Sequence, residues 1–261
     1  MQLFDSHAHY NDAAFDGDRE ALLASLPAAG VTGVVNCGTS VAASLESLRL
    51  AQAYPFVYAA AGIHPEDCAG AQPGDLDRIA SLLAENPKAV AVGEIGLDYH
   101  DDTPRPLQLE WFEKQLQLAL KLDLPVIIHD REAHGDTMEL LRRYRPRGVM
   151  HCYSGSVEMA KELIALGFYL GFTGAVTFKS NKKARAVVEW MPADRLLIET
   201  DCPYMSPEPL RGRRSDSSML AHTLARVAEI RGFDPEQAGR LTERNARTLF
   251  GLAPAPGEEG A

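Results

Sequence analysis

Two histidines separated by one residue stand near the start of the sequence, in the segment Asp5-Ser6-His7-Ala8-His9-Tyr10. They follow the apolar pair Leu3-Phe4, which is typical of an opening β-strand. Side chains of a strand alternate between its two faces, so His7 and His9 would point the same way. Two imidazoles that converge from one face can share one metal ion. The pair therefore indicates a metal site, with a chance pair at an exposed strand end as the alternative.

Further residues of metal-ligand type each follow an apolar run later in the chain. They are Glu94, His129, His151 and Asp201. With His7 and His9 they make four imidazoles and two carboxylates, which is too many for one tetrahedral ion. Such a set suits two divalent cations bridged by a carboxylate. The alternative is that all six residues lie at the edges of loops and share no metal site.

The elements that must position these residues form a regular pattern of short apolar runs and amphipathic helices. Strands are predicted at the opening segment and at residues 33–38, 57–63, 89–94, 124–129, 148–151, 168–172 and 195–201. Continuous Val, Ile and Leu runs are typical of parallel strands buried on both faces. Eight repeats of strand and helix in 261 residues predict an α/β fold, the (β/α)8 TIM barrel, as one domain over 1–251. The tail at 252–261 is predicted to be disordered.

In such a barrel the carboxyl ends of all eight strands open on one mouth, where active sites are built. The six candidate ligands are predicted to end their strands, so they would converge there. His64 ends the third predicted strand, in Gly62-Ile63-His64-Pro65, and is expected either to line this mouth or to have a structural role.

Glu94 and Asp201 are the candidate catalytic carboxylates. Glu94 lies between Gly93 and Gly96, and these glycines would let a metal or a substrate approach the backbone. A carboxylate buried among imidazoles needs positive charge nearby to stay ionised, which a bridging position between two cations supplies. Asp201 could ligate a metal and accept a proton from the attacking water.

Composition limits the class of protein. A formal net charge of −10 argues against a broad basic surface for duplex nucleic acid. It leaves a phosphate substrate possible, because bound metal ions can invert the local field. Four cysteines without CxxC spacing predict a reduced, cytoplasmic protein. We expect no signal peptide, and no apolar run approaches the roughly 18 residues of a membrane span.

The motifs in this order resemble the TatD-type metal-dependent deoxyribonucleases, within the wider amidohydrolase-like barrels. The resemblance extends from Phe4-Asp5-Ser6-His7-Ala8-His9 to Asn245-Ala246-Arg247-Thr248-Leu249-Phe250. Between these ends stand Gly62-Ile63-His64-Pro65, Gly93-Glu94-Ile95-Gly96-Leu97-Asp98-Tyr99, Ile127-Ile128-His129-Asp130-Arg131, His151-Cys152-Tyr153-Ser154-Gly155 and Glu199-Thr200-Asp201-Cys202-Pro203-Tyr204. One such motif would be weak, but all of them in order are specific.

The resemblance implies two divalent metal ions. One would be held by His7, His9, Glu94 and Asp201, and the other by Glu94, His129 and His151. It also implies hydrolysis of phosphodiester bonds, with DNA as the usual substrate and attack often from the 3′ end. The identity of the ions stays open: mixed oxygen and imidazole ligands suit Zn, Mn, Co or Ni, whereas Mg normally prefers oxygen-rich sites.

The sequence departs from the family pattern at two places on the rim. Ser215 stands where the family usually has Asn, and Ser217 where it usually has Pro. Glu66 stands where many relatives have a second histidine. The two serines leave the shape and the substrate contacts of the Arg211 loop open, and Glu66 indicates a different rim on the side of His64.

Our hypothesis from the sequence is two-metal hydrolysis of DNA at single-stranded or frayed 3′ ends. Arg211, with Lys179 or Arg213, is the candidate phosphate contact, the alternative being a solvated surface run of cations. Arg131 is a further candidate for substrate contact. One rival is hydrolysis of small esters, lactones or aminoacyl-tRNA on the same barrel. Another is a non-catalytic, metal-holding scaffold. No membrane and no obligate protein partner are predicted.

Overall fold

The computed structural model describes residues 1–255, and its eight strands form one sheet in which spatial order equals chain order. The strands are β1 (Leu3–Ala8), β2 (Val31–Cys37), β3 (Val57–Ala61), β4 (Ala89–Asp98), β5 (Val126–Arg131), β6 (Gly148–Met150), β7 (Tyr169–Phe172) and β8 (Leu196–Ile198). Parallel pairing joins β3 to β4, β4 to β5, β5 to β6, and β7 to β8. Every residue of β1 and of β4 is buried, as the continuous apolar runs predict.

Helices follow the strands in regular alternation. They are α1 (Arg19–Ser25), α2 (Val41–Ala53), α3 (Asp75–Glu85), α4 (Arg105–Leu122), α5 (His134–Tyr144), α6 (Val157–Ala165), α7 (Lys182–Trp190), α8 (Leu220–Arg231) and α9 (Pro235–Leu249). Local capping explains several starts: the Ser40 side chain accepts the Ala43 N–H before α2, and Asp234 precedes Pro235 at the start of α9. Helix α3 begins at Asp75, with Gly74 in the cap position.

A parallel bridge joins the end of β1 to the segment after β8. Ala8 pairs with Cys202, and the His9 N–H donates to the Cys202 carbonyl at 2.9 Å. The Asp201 N–H donates to the His7 carbonyl at 3.0 Å. These bonds link the first and last strands, as the (β/α)8 barrel class requires. They also hold His7, His9 and Asp201 next to one another.

Packing groups the chain into two compact units. The first consists of Met1–Val35, Cys152–Ala165 and the chain from Tyr169 onward, and it carries β1, β7 and β8. The second consists of Asn36–His151 and Leu166–Phe168, and it carries β3 to β6. The single domain over 1–251 stays a prediction.

The predicted tail at 252–261 is only partly within the described residues. The Leu252 N–H donates to the Arg247 carbonyl at 2.8 Å, and Arg247 Nη1 donates to the Ala253 carbonyl at 3.1 Å. Ala255 is buried. Positions 256–261 lie outside the described residues. Within residues 1–255, no helix combines the length and the apolar character needed to cross a membrane.

Candidate metal centre

The first unit holds three converging ligand atoms from His7, His9 and Asp201, which we call the first ligand set. The two histidine Nε2 atoms lie 2.9 Å apart, and Asp201 Oδ1 lies 3.6 Å from His7 Nε2 and 3.5 Å from His9 Nε2. Ligands at about 2.0 to 2.1 Å from one ion lie about 3 to 3.5 Å from each other. The triangle therefore has the size that one divalent cation requires.

Asp201 reaches this set from a turn rather than from a strand. The prediction that it ends strand eight is wrong, because β8 stops at Ile198. Asp201 has a φ of 57°, in the left-handed region that aspartate tolerates better than most residues. The turn directs its carboxylate to the two histidines, while the next residue, Cys202, pairs with Ala8.

A buried carboxylate, Asp5, supports this set from behind. Its Oδ1 accepts the N–H groups of Thr200 at 2.9 Å and of His7 at 3.3 Å. Its Oδ2 accepts the hydroxyls of Thr200 and Ser217, each at 2.6 Å. Burial raises the pKa of Asp5 to about 7, against the opposing effect of these hydrogen bonds. Sequence reasoning missed this role, although the period-two spacing of Asp5 and His7 signals it.

Ser217, one of the two departures from the family pattern on the Arg211 loop, is part of the same network. Its hydroxyl accepts from the Tyr10 hydroxyl at 2.8 Å, and its N–H donates to the Tyr10 oxygen at 2.8 Å. Ser215 is also fully buried, and its N–H donates to the Pro203 carbonyl at 3.0 Å. Both serines therefore fix the Arg211 loop to the interior of the first unit.

Replacing Ser217 with alanine tests this network. We expect Ser217→Ala to lower the free energy of unfolding by about 1 to 3 kcal/mol, because the buried Asp5 and Tyr10 each lose a partner. Urea unfolding followed by circular dichroism measures the change. The matched control is the exposed neighbour in Ser218→Ala, which should stay within about 0.5 kcal/mol of the wild type. Equal stability of the two variants would contradict the structural role of Ser217.

The second unit holds another triangle, formed by Glu94, His129 and His151, which we call the second ligand set. Glu94 Oε1 lies 3.0 Å from His129 Nδ1 and 2.8 Å from His151 Nε2. The two histidine nitrogens lie 3.2 Å apart. These separations again match the edges of a coordination shell around one divalent ion.

Strands β4, β5 and β6 position the second set. Glu94 lies in the middle of β4 and not at its end as predicted, because the strand continues to Asp98 in pairing with β5. The register between the two strands shifts between Val92 and Ile95, at the position of Glu94. His129 lies within β5, and His151 directly follows β6.

Asp98 orients the imidazole of His129. Its Oδ2 lies 2.9 Å from His129 Nε2, so this nitrogen carries a proton in both the neutral and the charged ring, and Nδ1 is the nitrogen that would give up its proton to bind an ion. Burial opposes the charged imidazole, but hydrogen bonds to Asp98 and Glu94 outweigh it and raise the pKa of His129 to about 9. Burial likewise opposes the charged Asp98, yet its hydrogen bond with His129 lowers the pKa of Asp98 to about 2. Sequence reasoning missed Asp98, although its spacing of four from Glu94 on one strand face signals it.

The contact between Asp98 and His129 predicts an effect on metal affinity. We expect Asp98→Asn to weaken binding at the second ligand set by about 10- to 100-fold, because the carboxylate fixes the ring and raises its basicity. Titration of metal-free protein with Zn²⁺ or Mn²⁺ by calorimetry measures the affinity. Asp102→Asn removes an exposed carboxylate nearby and should bind like the wild type. Unchanged affinity in Asp98→Asn would show that Asp98 does not support the second set.

His64 lies beside the second ligand set, but the ring nitrogen that faces Glu94 is a hydrogen-bond donor. Its Nδ1 accepts the Glu66 N–H at 3.3 Å, so the proton of the neutral ring lies on Nε2. That Nε2 lies 3.5 Å from Glu94 Oε1. A protonated nitrogen has no lone pair for a metal, so this tautomer suits contact with a substrate oxygen.

The predicted substrate cations are exposed in the described structure. In the first unit, the Arg211 guanidinium lies 4.5 Å from the centroid of the Phe178 ring, and Lys179 is the next residue after Phe178. Arg213 is exposed in the same loop as Arg211. In the second unit, Arg131 Nη1 lies 3.9 Å from Asp98 Oδ2. Arg211 and Lys179 therefore lie in one region, and their contact with a substrate stays a prediction.

Comparison with known proteins identifies the family. The family model described as TatD related DNase matches residues 4–251. The chain is 40% identical to an uncharacterized metal-dependent hydrolase, YabD, of Bacillus subtilis, over 95% of this chain and 98% of the relative. It is 37% identical to the 3′-5′ ssDNA/RNA exonuclease TatD of Salmonella typhimurium, over 95% of this chain and 98% of the relative. The crystal structure of YJJV, a TatD homologue from Escherichia coli K12, superposes with a TM-score of 0.90 at 33% identity, covering 96% of this chain and 98% of that one.

The fold and these relatives define the class of protein, a metal-dependent hydrolase that acts on ester bonds. The chain belongs to the TatD-related DNase family. The predictions of the (β/α)8 fold class and of the family are thereby confirmed.

Proposed function

We propose that the protein hydrolyses phosphodiester bonds of DNA from the 3′ end, on single-stranded or frayed strands, with two divalent metal ions. The observation that carries this proposal is the pair of ligand triangles, one in each unit, each sized for one ion. Several relatives at 35 to 38% identity are named as 3′-5′ ssDNA/RNA exonucleases, which supports the substrate class.

In this proposal His7, His9 and Asp201 hold one ion, and Glu94, His129 and His151 hold the other. When bound, the two ions supply positive charge that activates a water and stabilises negative charge on the phosphate oxygens. The mixed nitrogen and oxygen ligands suit Zn, Mn, Co or Ni better than Mg. The bridging position of Glu94 stays a prediction.

The remaining steps belong to side chains of the chain itself. Asp201 keeps 14% of its side chain exposed, so its second oxygen can accept a proton from the attacking water. The Nε2–H of His64 can donate to a phosphate oxygen. Arg211 and Lys179 would hold the phosphate, Arg211 with two parallel N–H donors. Arg131 is a further candidate for this contact.

The net charge of −10 favours short or single-stranded ends as substrate, because a long duplex would meet mostly negative surface. The cytoplasmic location inferred from the cysteines stays a prediction, and so does the lack of an obligate partner. None of the four cysteines forms a disulfide within the described structure.

Replacing His129 with alanine tests the proposed activity. We expect His129→Ala to lower metal-dependent cleavage of a single-stranded oligonucleotide by about a thousandfold or more, because the second ion loses a ligand. Gel analysis of a 5′-labelled strand should show a ladder that shortens from the 3′ end. His222→Ala, on the exposed side of α8, is the matched control and should keep wild-type activity.

Two results would contradict the proposal. Full activity of His129→Ala would exclude the second ligand set from catalysis. A wild-type protein that hydrolyses small esters or lactones, but no oligonucleotide, would place the substrate in the rival class. Both assays should use protein loaded with Zn²⁺, Mn²⁺, Co²⁺ or Ni²⁺ in turn, with EDTA as the metal-free control.

A further inference from the structure

Two adjacent large side chains, three and four residues after Asp201, are exposed. Tyr204 is 57% exposed and Met205 is 40% exposed. Single apolar residues on a surface need no explanation, but a neighbouring pair beside a candidate metal ligand is a candidate contact surface. Tyr204 and Met205 lie in the loop between β8 and α8, which also carries Arg211.

The exposure of this pair does not come from a loosely held loop. The Tyr204 N–H donates to the Asp201 carbonyl at 2.9 Å, and the Glu208 N–H donates to Thr177 Oγ1 at 2.8 Å. A Cβ on Gly174 would lie 2.1 Å from the Met205 carbonyl oxygen, so the loop packs directly against this glycine. Met205 also has a φ of 53°, a conformation that a residue without a short polar side chain seldom adopts. The loop is therefore fixed in a shape that keeps both side chains at the surface.

The Tyr204 side chain joins the segment after β8, which carries Asp201, to the segment after β1, which carries His9. Its hydroxyl donates to Asp12 Oδ2 at 3.2 Å, and the Asp12 N–H donates to the His9 carbonyl at 2.9 Å. Tyr204 and Asp12 each stand three residues beyond a candidate ligand, Asp201 and His9. Tyr204 is thus held through its own N–H to Asp201 and through its hydroxyl to the Asp12 side chain, whose residue bonds His9.

We propose that Tyr204 is a stacking platform for the 3′-terminal nucleobase of the strand being cleaved, with Met205 extending the apolar surface. This inference rests on the proposed nuclease function and names a substrate contact of the same site. A base has a flat apolar face in every sequence, so a fixed aromatic ring binds single strands without sequence preference. Stacking there would place the last phosphodiester near the first ligand set, while Arg211, beside Phe178, is available for a phosphate farther along the strand.

The test combines a change in the protein with a matching change in the substrate. The proteins are the wild type, Tyr204→Ala, Tyr204→Phe and the control Trp190→Ala, which removes another exposed aromatic ring on α7. The substrates are one single-stranded oligonucleotide and the same strand with a 3′-terminal abasic residue. Tyr204→Phe keeps the ring and loses only the hydroxyl bond to Asp12.

We expect the abasic strand to lower kcat/KM of the wild type by about 5- to 150-fold, the range that stacking of one base on an aromatic ring provides. Tyr204→Ala should show a similar loss on the normal strand and little further loss on the abasic strand. Tyr204→Phe and Trp190→Ala should behave like the wild type on both strands.

A binding measurement gives a readout that does not depend on activity. A strand with 2-aminopurine at its 3′ end, added to metal-free protein in EDTA, should lose fluorescence on binding to the wild type and to Tyr204→Phe. The quenching should be absent with Tyr204→Ala. This measurement and the abasic comparison on the wild type test the inference even if Tyr204→Ala folds poorly.

The outcomes separate this inference from the proposed function. If the wild type cleaves both strands equally, or if Tyr204→Ala loses the same factor on both, the stacking role is wrong and the nuclease function stands. If the wild type cleaves neither strand with any of the metals, the proposed function fails, and the inference fails with it.

Discussion

The convergence of ligand atoms in each unit is the constraint on which the rest of the site depends. Ligand atoms of histidines and carboxylates lie 2.8 to 3.6 Å apart inside the protein. Lone pairs this close in a water-poor interior need a proton or a cation between them, because they would otherwise repel each other. The backbone pairing of Ala8 with Cys202 and the register of β4 on β5 bring these atoms together.

Each ligand set is supported by a buried carboxylate that is not itself one of the three ligands. Asp98 holds the ring of His129 in the second unit, and Asp5 holds the backbone of His7 and Thr200 in the first. Both carboxylates are fully buried and are satisfied by several donors. Such outer contacts fix the tautomer and direction of a ligand before an ion arrives, so little ordering remains to oppose metal binding.

The barrel was predictable from the regular repeat of apolar runs and helices. The six candidate ligands could be selected because each is a residue of metal-ligand type near the end of such a run, and their role as ligands stays a prediction. The position of Glu94 within β4 was not predictable, because apolar residues continue on both sides of it. The shift of register between β4 and β5 also cannot be recognised from the amino-acid composition of the strands. The left-handed turn at Asp201 was missed because aspartate occurs in strands and turns alike. The support from Asp5 and Ser217 joins positions 212 residues apart, and only the folded chain brings them together.

The most direct test of the central claim is the number of metal ions that each chain holds after equilibration with Zn²⁺ and removal of the excess, measured by inductively coupled plasma mass spectrometry. We expect two ions in the wild type, and one each in His9→Ala and His151→Ala, because each variant breaks only one ligand set. A wild type that holds a single ion, or a His9→Ala variant that still holds two, would contradict the assignment of one ion to each set.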